Sequence, residues 1–229
     1  MLGIVFTGGE GPEPQTVRRL LDGPARGALT VAADSGLELA EAAGLRPDWI
    51  TGDMDSLSGR ERLQTYPPRR VMYHPADKDC TDTELALSLL WEKGCDRIWI
   101  AGGGGGRVDH LFGIRSLFER ERFPCRWIGA AEDIYCIEAS RGKNAASGQT
   151  LCMTLNAGAL VSVFPLGEGW PDTAGGCAWK ASSCGLKWPL DNVAWSRGFF
   201  GLSNIALNGE FTITAERGRF MVIIPFRYD

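Results

Sequence analysis

Five aspartates in two short stretches hold most of the chemistry open to this chain. Asp53 and Asp55 stand one residue apart in Ile50-Thr51-Gly52-Asp53-Met54-Asp55-Ser56. Asp77, Asp79 and Asp82 follow in Asp77-Lys78-Asp79-Cys80-Thr81-Asp82. Carboxylates this close repel one another unless a positive charge sits among them. Mg²⁺ is the plainest such charge, because it prefers oxygen ligands and is usually held by one or two carboxylates together with substrate phosphates. A lone Asp-x-Asp is more often an ordinary solvent loop. Two acidic clusters, each behind a short apolar run, favour metal and phosphate.

A third feature is the glycine run Gly102 to Gly106, followed by Arg107-Val108-Asp109-His110. It lies after an apolar run and before a helical pattern, the context in which backbone N–H groups and a helix N-terminus hold phosphate. No Gly-Lys-Ser/Thr follows, so it is not a P-loop, and Arg107 falls where the dinucleotide fingerprint needs its last glycine. A tight turn needs two glycines at most, so five predict close ligand approach or a mobile lid. Arg107 has the planar fork to bind a phosphate through two hydrogen bonds, or a surface carboxylate instead. His110 taken alone reads as a structural hydrogen-bonding residue.

The composition sets limits on this site. The chain has 229 residues, 44% hydrophobic and 23% charged, with a net charge of −4. That suits a soluble globular protein of one large or two modest domains, and argues against general affinity for nucleic acid or anionic membrane. Residues 1–138 hold 16 Lys and Arg against 22 Asp and Glu, whereas residues 139–229 are net basic, so the acidity lies with the carboxylate clusters. Seven cysteines, odd in number and without Cys-x-x-Cys, count against a disulfide framework or thiolate zinc site and favour the cytoplasm. Only His74 and His110 are present, which excludes a histidine-rich metal site. Met1 to Phe6 lacks a basic flank and reads as a first strand rather than a signal peptide, and no apolar run is long enough to span a bilayer.

The elements that must position these residues alternate. Apolar runs at Leu2–Phe6, Leu29–Ala33, Trp49–Ile50, Arg70–His74 and Arg97–Ala101 predict strands. Helices are predicted near Gln15–Leu21, around Leu37 to Ala43 and around Leu111 to Phe118. The sharpest start is Thr81-Asp82-Thr83-Glu84, a capping box that places Asp82 in the first turn of a helix. Strands alternating with helices predict a doubly wound, mostly parallel α/β sheet, with the acidic and glycine-rich loops at the carboxyl ends of its strands. Beyond Glu138 the helical period disappears. Residues 141–148 read as a linker, and Gln149–Leu155, Ala159–Phe164, Gly176–Ala181, Phe211–Ala215 and Phe220–Ile224 predict a smaller all-β, jelly-roll-like sandwich. Trp170, Trp179, Trp188 and Trp195 crowd its first half, as core residues or as a stacking surface for a flat or cationic ligand.

Taken together these motifs resemble a known family. Ala33-Asp34-Ser35-Gly36, Arg46-Pro47-Asp48-Trp49-Ile50-Thr51-Gly52-Asp53-Met54-Asp55-Ser56, the Asp77 to Asp82 stretch and Gly105-Gly106-Arg107-Val108-Asp109-His110 are similar in order and spacing to bacterial thiamine pyrophosphokinases. Cys184-Gly185-Leu186-Lys187-Trp188-Pro189-Leu190 and Gly201-Leu202-Ser203-Asn204 extend the likeness over nearly the whole chain. The departures are small: Ser35 stands where a second glycine is usual, and Met54 replaces a common Phe.

The resemblance implies an α/β catalytic domain over 1–138 and a β-sandwich over 147–229 that binds thiamine and dimerises, with the active site at the subunit interface of a homodimer. It implies transfer of the β,γ-pyrophosphoryl group of ATP to the hydroxyethyl oxygen of thiamine, dependent on Mg²⁺. Asp34, Asp53, Asp55, Asp82 and Arg107 would be catalytic, with Asp53, Asp55 and Asp82 on the metal. Gly8, Gly9, Ser35, Asp77, Lys78, Asp79, Thr81, Gly105 and Gly106 would surround the nucleotide, and Asp109, His110, Ser203 and Asn204 would lie near thiamine. The alternatives are a pyrophosphokinase for a pterin-type alcohol and a non-catalytic nucleotide or thiamine-binding regulator.

Overall fold

The computed structural model describes residues 1–140, 149–169 and 178–226. The predicted linker, Trp170 and the start of the strand predicted from Gly176 lie outside the described residues. The chain forms two compact units, one of Met1–Leu117 with Glu121–Ala131, the other of Phe118–Arg120 with the described residues from Glu132 on.

In chain order the first unit contains β1 (Leu2–Thr7), α1 (Pro14–Asp22), β2 (Leu29–Ala33), α2 (Gly36–Ala42), β3 (Trp49–Gly52), β4 (Val71–Tyr73), α3 (Asp82–Glu92), β5 (Arg97–Gly102), α4 (Val108–Leu117) and β6 (Arg126–Ile128). Its strands are ordered β6-β5-β1-β2-β3-β4, and every neighbouring pair is parallel. Adjacent residues such as Val5 and Phe6, or Val31 and Ala32, are all buried. Successive side chains on a strand point to opposite faces, so both faces of this sheet are covered, and covered parallel strands read as unbroken apolar runs. The chain steps outward from β1 to β4, then returns to the other side of β1 through β5. The strand order therefore reverses between β1 and β5, a switch point of the kind at which open α/β sheets form their ligand crevice.

The predicted capping box is present and sets the start of α3. Thr81 Oγ1 accepts a hydrogen bond from the Glu84 backbone N–H at 3.2 Å, and Glu84 Oε2 accepts one from the Thr81 backbone N–H at 2.8 Å. Two otherwise orphaned helix donors are satisfied, and Asp82 is held at the first helical position.

The second unit contains β7 (Glu132–Glu138), β8 (Thr150–Thr154), β9 (Leu160–Leu166), β10 (Lys180–Cys184), β11 (Gly201–Ile205), β12 (Glu210–Arg217) and β13 (Arg219–Pro225). One antiparallel sheet runs β11-β9-β13-β7 and a second runs β10-β12-β8. Side chains from both sheets share one core, including Val161, Val163, Phe220 and Val222 from the first and Phe211, Ile213 and Ala215 from the second. Phe211, Ile213 and Ala215 alternate with less buried Thr212 and Thr214, the period-two pattern of a strand with one face inward. Strand β11 was not foreseen from its sequence. Leu202 is exposed, Asn204 is buried and Ser203 has φ 57°, so no apolar alternation marks it, and its register with β9 shifts between Gly201 and Asn204.

Among the described residues no helix is long and apolar enough to cross a membrane.

Candidate functional site

Three carboxylates meet at the carboxyl ends of neighbouring parallel strands. Asp34 follows β2, Asp53 follows β3, and Asp82 opens the helix after β4. One ligand atom from each lies within 4.8 Å of those of the other two. Asp34 takes a left-handed backbone conformation with φ 47°, and its N–H donates to the Thr51 carbonyl at 2.9 Å. A non-glycine residue there costs about 1–3 kcal/mol, a strain that recurs at functional sites. Gly52 makes the convergence possible. With φ 146°, a Cβ on it would stand 3.1 Å from Asp82 Cγ and 3.3 Å from Asp34 Cβ, in the space where the two carboxylates approach.

The Asp53-Met54-Asp55 loop divides its residues by environment. Met54 is 1% exposed and packs with Leu37, Ile50, Leu57, Leu63 and Tyr66. Its φ of 61° is also left-handed. This inward anchor leaves Asp53 in the pocket and turns Asp55 to solvent. Asp53 Oδ1 accepts the Asp55 backbone N–H at 3.1 Å, while Asp55 Oδ1 accepts from Ser56 Oγ at 3.0 Å. Of the two acids in the motif, only Asp53 joins the trio.

Lys78 enters the same pocket. Its Nζ lies 3.1 Å from Asp53 Oδ2 and 3.2 Å from Asp82 Oδ1, and donates to the Pro75 carbonyl at 3.1 Å. The contact with Asp82 is a charge pair off hydrogen-bond alignment, so Asp82 Oδ1, like Asp34 Oδ1, is buried without a hydrogen-bond partner. Burial pushes the Asp34 carboxyl above its usual range, against hydrogen bonds from Ser56 and Ser35, with the charges of Asp82 and Asp53 adding to the rise. The Asp55 N–H holds Asp53 below its usual range, and Lys78 helps against the opposing effect of burial. For Lys78 burial works against the charged form, but its carboxylate partners outweigh it and the pKa rises. Paired acids pushed in opposite directions, with orphaned oxygens between them, form a donor set suited to a hard cation.

Other residues singled out in the sequence are arranged differently. Asp77 and Asp79 are exposed, and the Thr81 side chain is engaged in the helix cap. Arg107 forms its hydrogen bonds with Asp109, through Nε to Oδ1 at 3.1 Å and Nη2 to Oδ2 at 2.5 Å, and both side chains are exposed. His110 is exposed on the first turn of α4. Most of the glycine run is closely packed within the chain. A Cβ on Gly102 would meet Thr7 O at 2.2 Å and one on Gly103 would meet Ile114 Cδ1 at 2.2 Å. Glu10 and Gly104 exchange two backbone hydrogen bonds of 2.7 Å, and Gly103 N–H donates to Gly8 O at 3.0 Å. The loops after β1 and β5 are thus stitched together, Gly8 and Gly9 included, and only Gly106 has open space around its Cα. Ser35 Oγ fills the position that a Cβ on Gly8 would take, so the Ser35 side chain packs on the first glycine loop.

The second unit has a groove of about 180 Å³ whose walls include Val163, Trp188, Pro189, Trp195, Phe199 and Leu202. Asn204 organises it from within the wall. Its Oδ1 accepts from the backbone N–H groups of Trp188 at 3.1 Å and Ile205 at 2.8 Å, and its Nδ2 donates to Trp188 O at 2.7 Å. Trp188 is thereby held at the groove with its ring half exposed, and Lys187 Nζ lies 4.7 Å from the ring centroid. Trp195 is buried with its Nε1 unpartnered, whereas Trp179 is a core residue whose Nε1 donates to Leu166 O. Ser203 is exposed beside Asn204, its N–H on Ser162 Oγ at 3.2 Å. The roles of Gly52 and Met54 were missed by reasoning from sequence, whereas Trp188 was among the tryptophans read as core or stacking residues. A small residue beside an acidic motif and a large apolar one inside it were the available signals.

Comparison with known proteins connects these features. Residues 25–126, which contain the whole carboxylate pocket, match the family model described as thiamin pyrophosphokinase, catalytic domain. A thiamine pyrophosphokinase of Bacillus subtilis is 39% identical over 87 residues, a stretch that spans 37% of this chain and 40% of that relative. A crystal structure of thiamin pyrophosphokinase from Geobacillus thermodenitrificans superposes with a TM-score of 0.70 at 25% identity, covering 100% of this chain and 99% of the other. The Candida albicans enzyme of that name shares the fold at 14% identity, with a TM-score of 0.67 over 99% of this chain and 89% of its own.

Proposed function

We propose, from the match of residues 25–126 to the thiamin pyrophosphokinase catalytic domain, that this chain is a thiamine pyrophosphokinase, transferring the β,γ-pyrophosphoryl group of ATP to the hydroxyethyl oxygen of thiamine to give thiamine diphosphate and AMP. The observation that carries this reading is the convergence of Asp34, Asp53 and Asp82 within 4.8 Å, inside the segment matched to the catalytic domain. The donor set fits Mg²⁺: three hard oxygen ligands, with Asp34 Oδ1 and Asp82 Oδ1 buried and unpartnered. When bound, the ion would offset negative charge on the phosphate oxygens as pyrophosphoryl moves.

The protein's own part is positioning and charge. The thiamine alcohol oxygen attacks Pβ in line, a new O–Pβ bond forms, and the bond from Pβ to the α,β-bridging oxygen breaks, with its electron pair leaving on AMP. Transfers of this type depend chiefly on alignment and on charge neutralisation. Asp34, Asp53 and Asp82 would hold the cation that accompanies the nucleotide's phosphates, and one of these carboxylates takes the hydroxyl proton. Lys78 and Arg107 are the cations of this unit assigned to phosphate oxygens. The stitched loops after β1 and β5, with Gly8, Gly9, Gly105 and Gly106, form the backbone floor beneath the nucleotide, and Asp55, Asp77 and Asp79 lie at its rim.

For the acceptor, the half-exposed face of Trp188 is the best platform in the second unit. It already receives one cation, Lys187, and a thiazolium ring is a flat cation of the same preference. Among the residues the family resemblance assigns to thiamine, Ser203 is exposed in the second unit, and Asp109 and His110 are exposed on the first. Exposed Phe200, Leu202 and Trp188 in the second unit support assembly as a homodimer, and the cysteine usage supports the cytoplasm.

Incubation with Mg-ATP and thiamine, followed by measurement of AMP, tests the reading. Thiamine-dependent AMP release is expected, and AMP release with a pterin-type alcohol in its place would change the acceptor. Ligand binding without AMP would refute the enzyme. A solution mass near 24.9 kDa at assay concentration would contradict the dimer.

A further inference from the structure

Lys78 is the feature of the acidic pocket that metal ligation alone does not explain. A cation site needs carboxylates, and an ammonium group among them competes for the same oxygens. Yet Nζ is 3.1 Å from Asp53 and 3.2 Å from Asp82, with the Lys78 and Asp53 side chains each only 14% exposed. The Pro75 carbonyl takes a third direction of the ammonium, so the group is held from three sides. The loop carrying Lys78 is itself fixed just downstream, where Thr81 and Glu84 close the helix cap. Lys78 and Asp82 are also four residues apart, so the cation and one of its partners belong to the same short segment.

From this geometry we infer that Lys78 is an internal counter-ion of the acidic trio, which a divalent cation must displace and which then turns to the incoming phosphates. This rests on the pyrophosphokinase reading given above. It explains how three carboxylates coexist in a half-buried pocket before any substrate arrives. It also couples two binding events. A free divalent ion has to release an ammonium that then has no anionic partner, whereas an ion arriving with a triphosphate brings the replacement partner with it. The pocket should therefore take metal poorly alone and well with nucleotide. Lysine suits the task because its ammonium is a compact point charge on a flexible stem, able to move between carboxylate and phosphate without a matching planar fork.

The test uses Mn²⁺ as probe, with free ion measured by electron paramagnetic resonance on the full chain. Lys78→Met and Lys78→Gln are expected to bind Mn²⁺ in the absence of nucleotide about ten-fold more tightly than wild type, the order expected for removing one close charge. Lys78→Arg should stay near wild type. In wild type, α,β-methylene-ATP, in which the scissile bond is blocked, should tighten Mn²⁺ binding, and Lys78→Met should show a smaller gain from that analogue. The sign is decisive. A lysine that merely braced the loop would weaken metal binding when removed, and circular dichroism identifies any variant that fails to fold. If both charge-removing variants fold and bind Mn²⁺ no better than wild type, the counter-ion role is overturned. Failure of AMP release with thiamine would sink the pyrophosphokinase reading instead, and the nucleotide-free titration would still decide the role of Lys78.

Discussion

The acidic pocket of the first unit and the aromatic groove of the second put polar groups to opposite uses. In the pocket, carboxylates are brought together at a cost: Asp34 is buried, two of the oxygens have no hydrogen-bond partner, and Lys78 offsets part of the repulsion. In the groove, the buried amide of Asn204 makes three hydrogen bonds that hold Trp188, and the surface left for a ligand is mostly apolar. One site holds unfavourable charge in readiness for a cation and phosphates. The other uses satisfied polar groups to fix an apolar wall. Removing a polar group should therefore have opposite effects on stability in the two places.

The largest effect expected is on catalysis in the pocket. Asp53→Asn should lower thiamine-dependent AMP release by about 10³-fold or more, while the circular dichroism spectrum stays that of wild type. Near-normal turnover would remove Asp53 from the chemistry. Next comes the anchor beneath it. Met54→Ala empties a fully buried position and is expected to cost about 2–5 kcal/mol in urea unfolding. A cost below about 1 kcal/mol would show that the loop does not depend on this side chain.

Asn204→Ala probes the groove. It leaves the Trp188 and Ile205 N–H groups without their acceptor, so a loss of about 1–3 kcal/mol is expected. Unchanged stability would mean that water replaces the amide and that the wall is not fixed by it.

The smallest effect has the opposite sign. Burial raises the Asp34 pKa above its unfolded value, so the native state keeps its proton to higher pH than the unfolded chain does. Stability then falls as pH climbs from the ordinary carboxylate value through the raised one, and stays lower above it. Asp34→Asn removes that loss. With chelator present, its melting temperature should exceed that of wild type at neutral pH, and the advantage should shrink as pH falls through the same window. A variant less stable than wild type at neutral pH would erase the contrast between the two sites.

Much of this was legible in the sequence, for reasons that differ from residue to residue. The unbroken apolar runs of β1, β2 and β5 reported a parallel sheet because both faces are covered. The α3 cap was readable because a capping box is local chemistry, closed within four residues. The packing of the glycine run was not legible because several of its partners lie about a hundred residues away in sequence: Gly102 stands against Thr7 O, and Gly104 against Glu10. Neighbours that distant leave no mark on local spacing. Strand β11 was hidden by a register shift and a positive φ at Ser203, which break the alternation that announces a strand.

By itself the sequence determined which residue types stood at strand ends, where α3 began and how acidic the first unit would be. Those properties depend on neighbours along the chain and on composition. Only the tertiary structure decided which of the acids meet. Asp53 and Asp55 are equivalent as letters, yet Met54 is drawn into the core between them and sends one into the pocket and the other to solvent. Asp34, Asp53 and Asp82 converge because three parallel strands end side by side and Gly52 has no side chain to keep two of them apart. Lys78 belongs with them for the same reason: electrostatic forces act across space, between groups that the sheet has brought together.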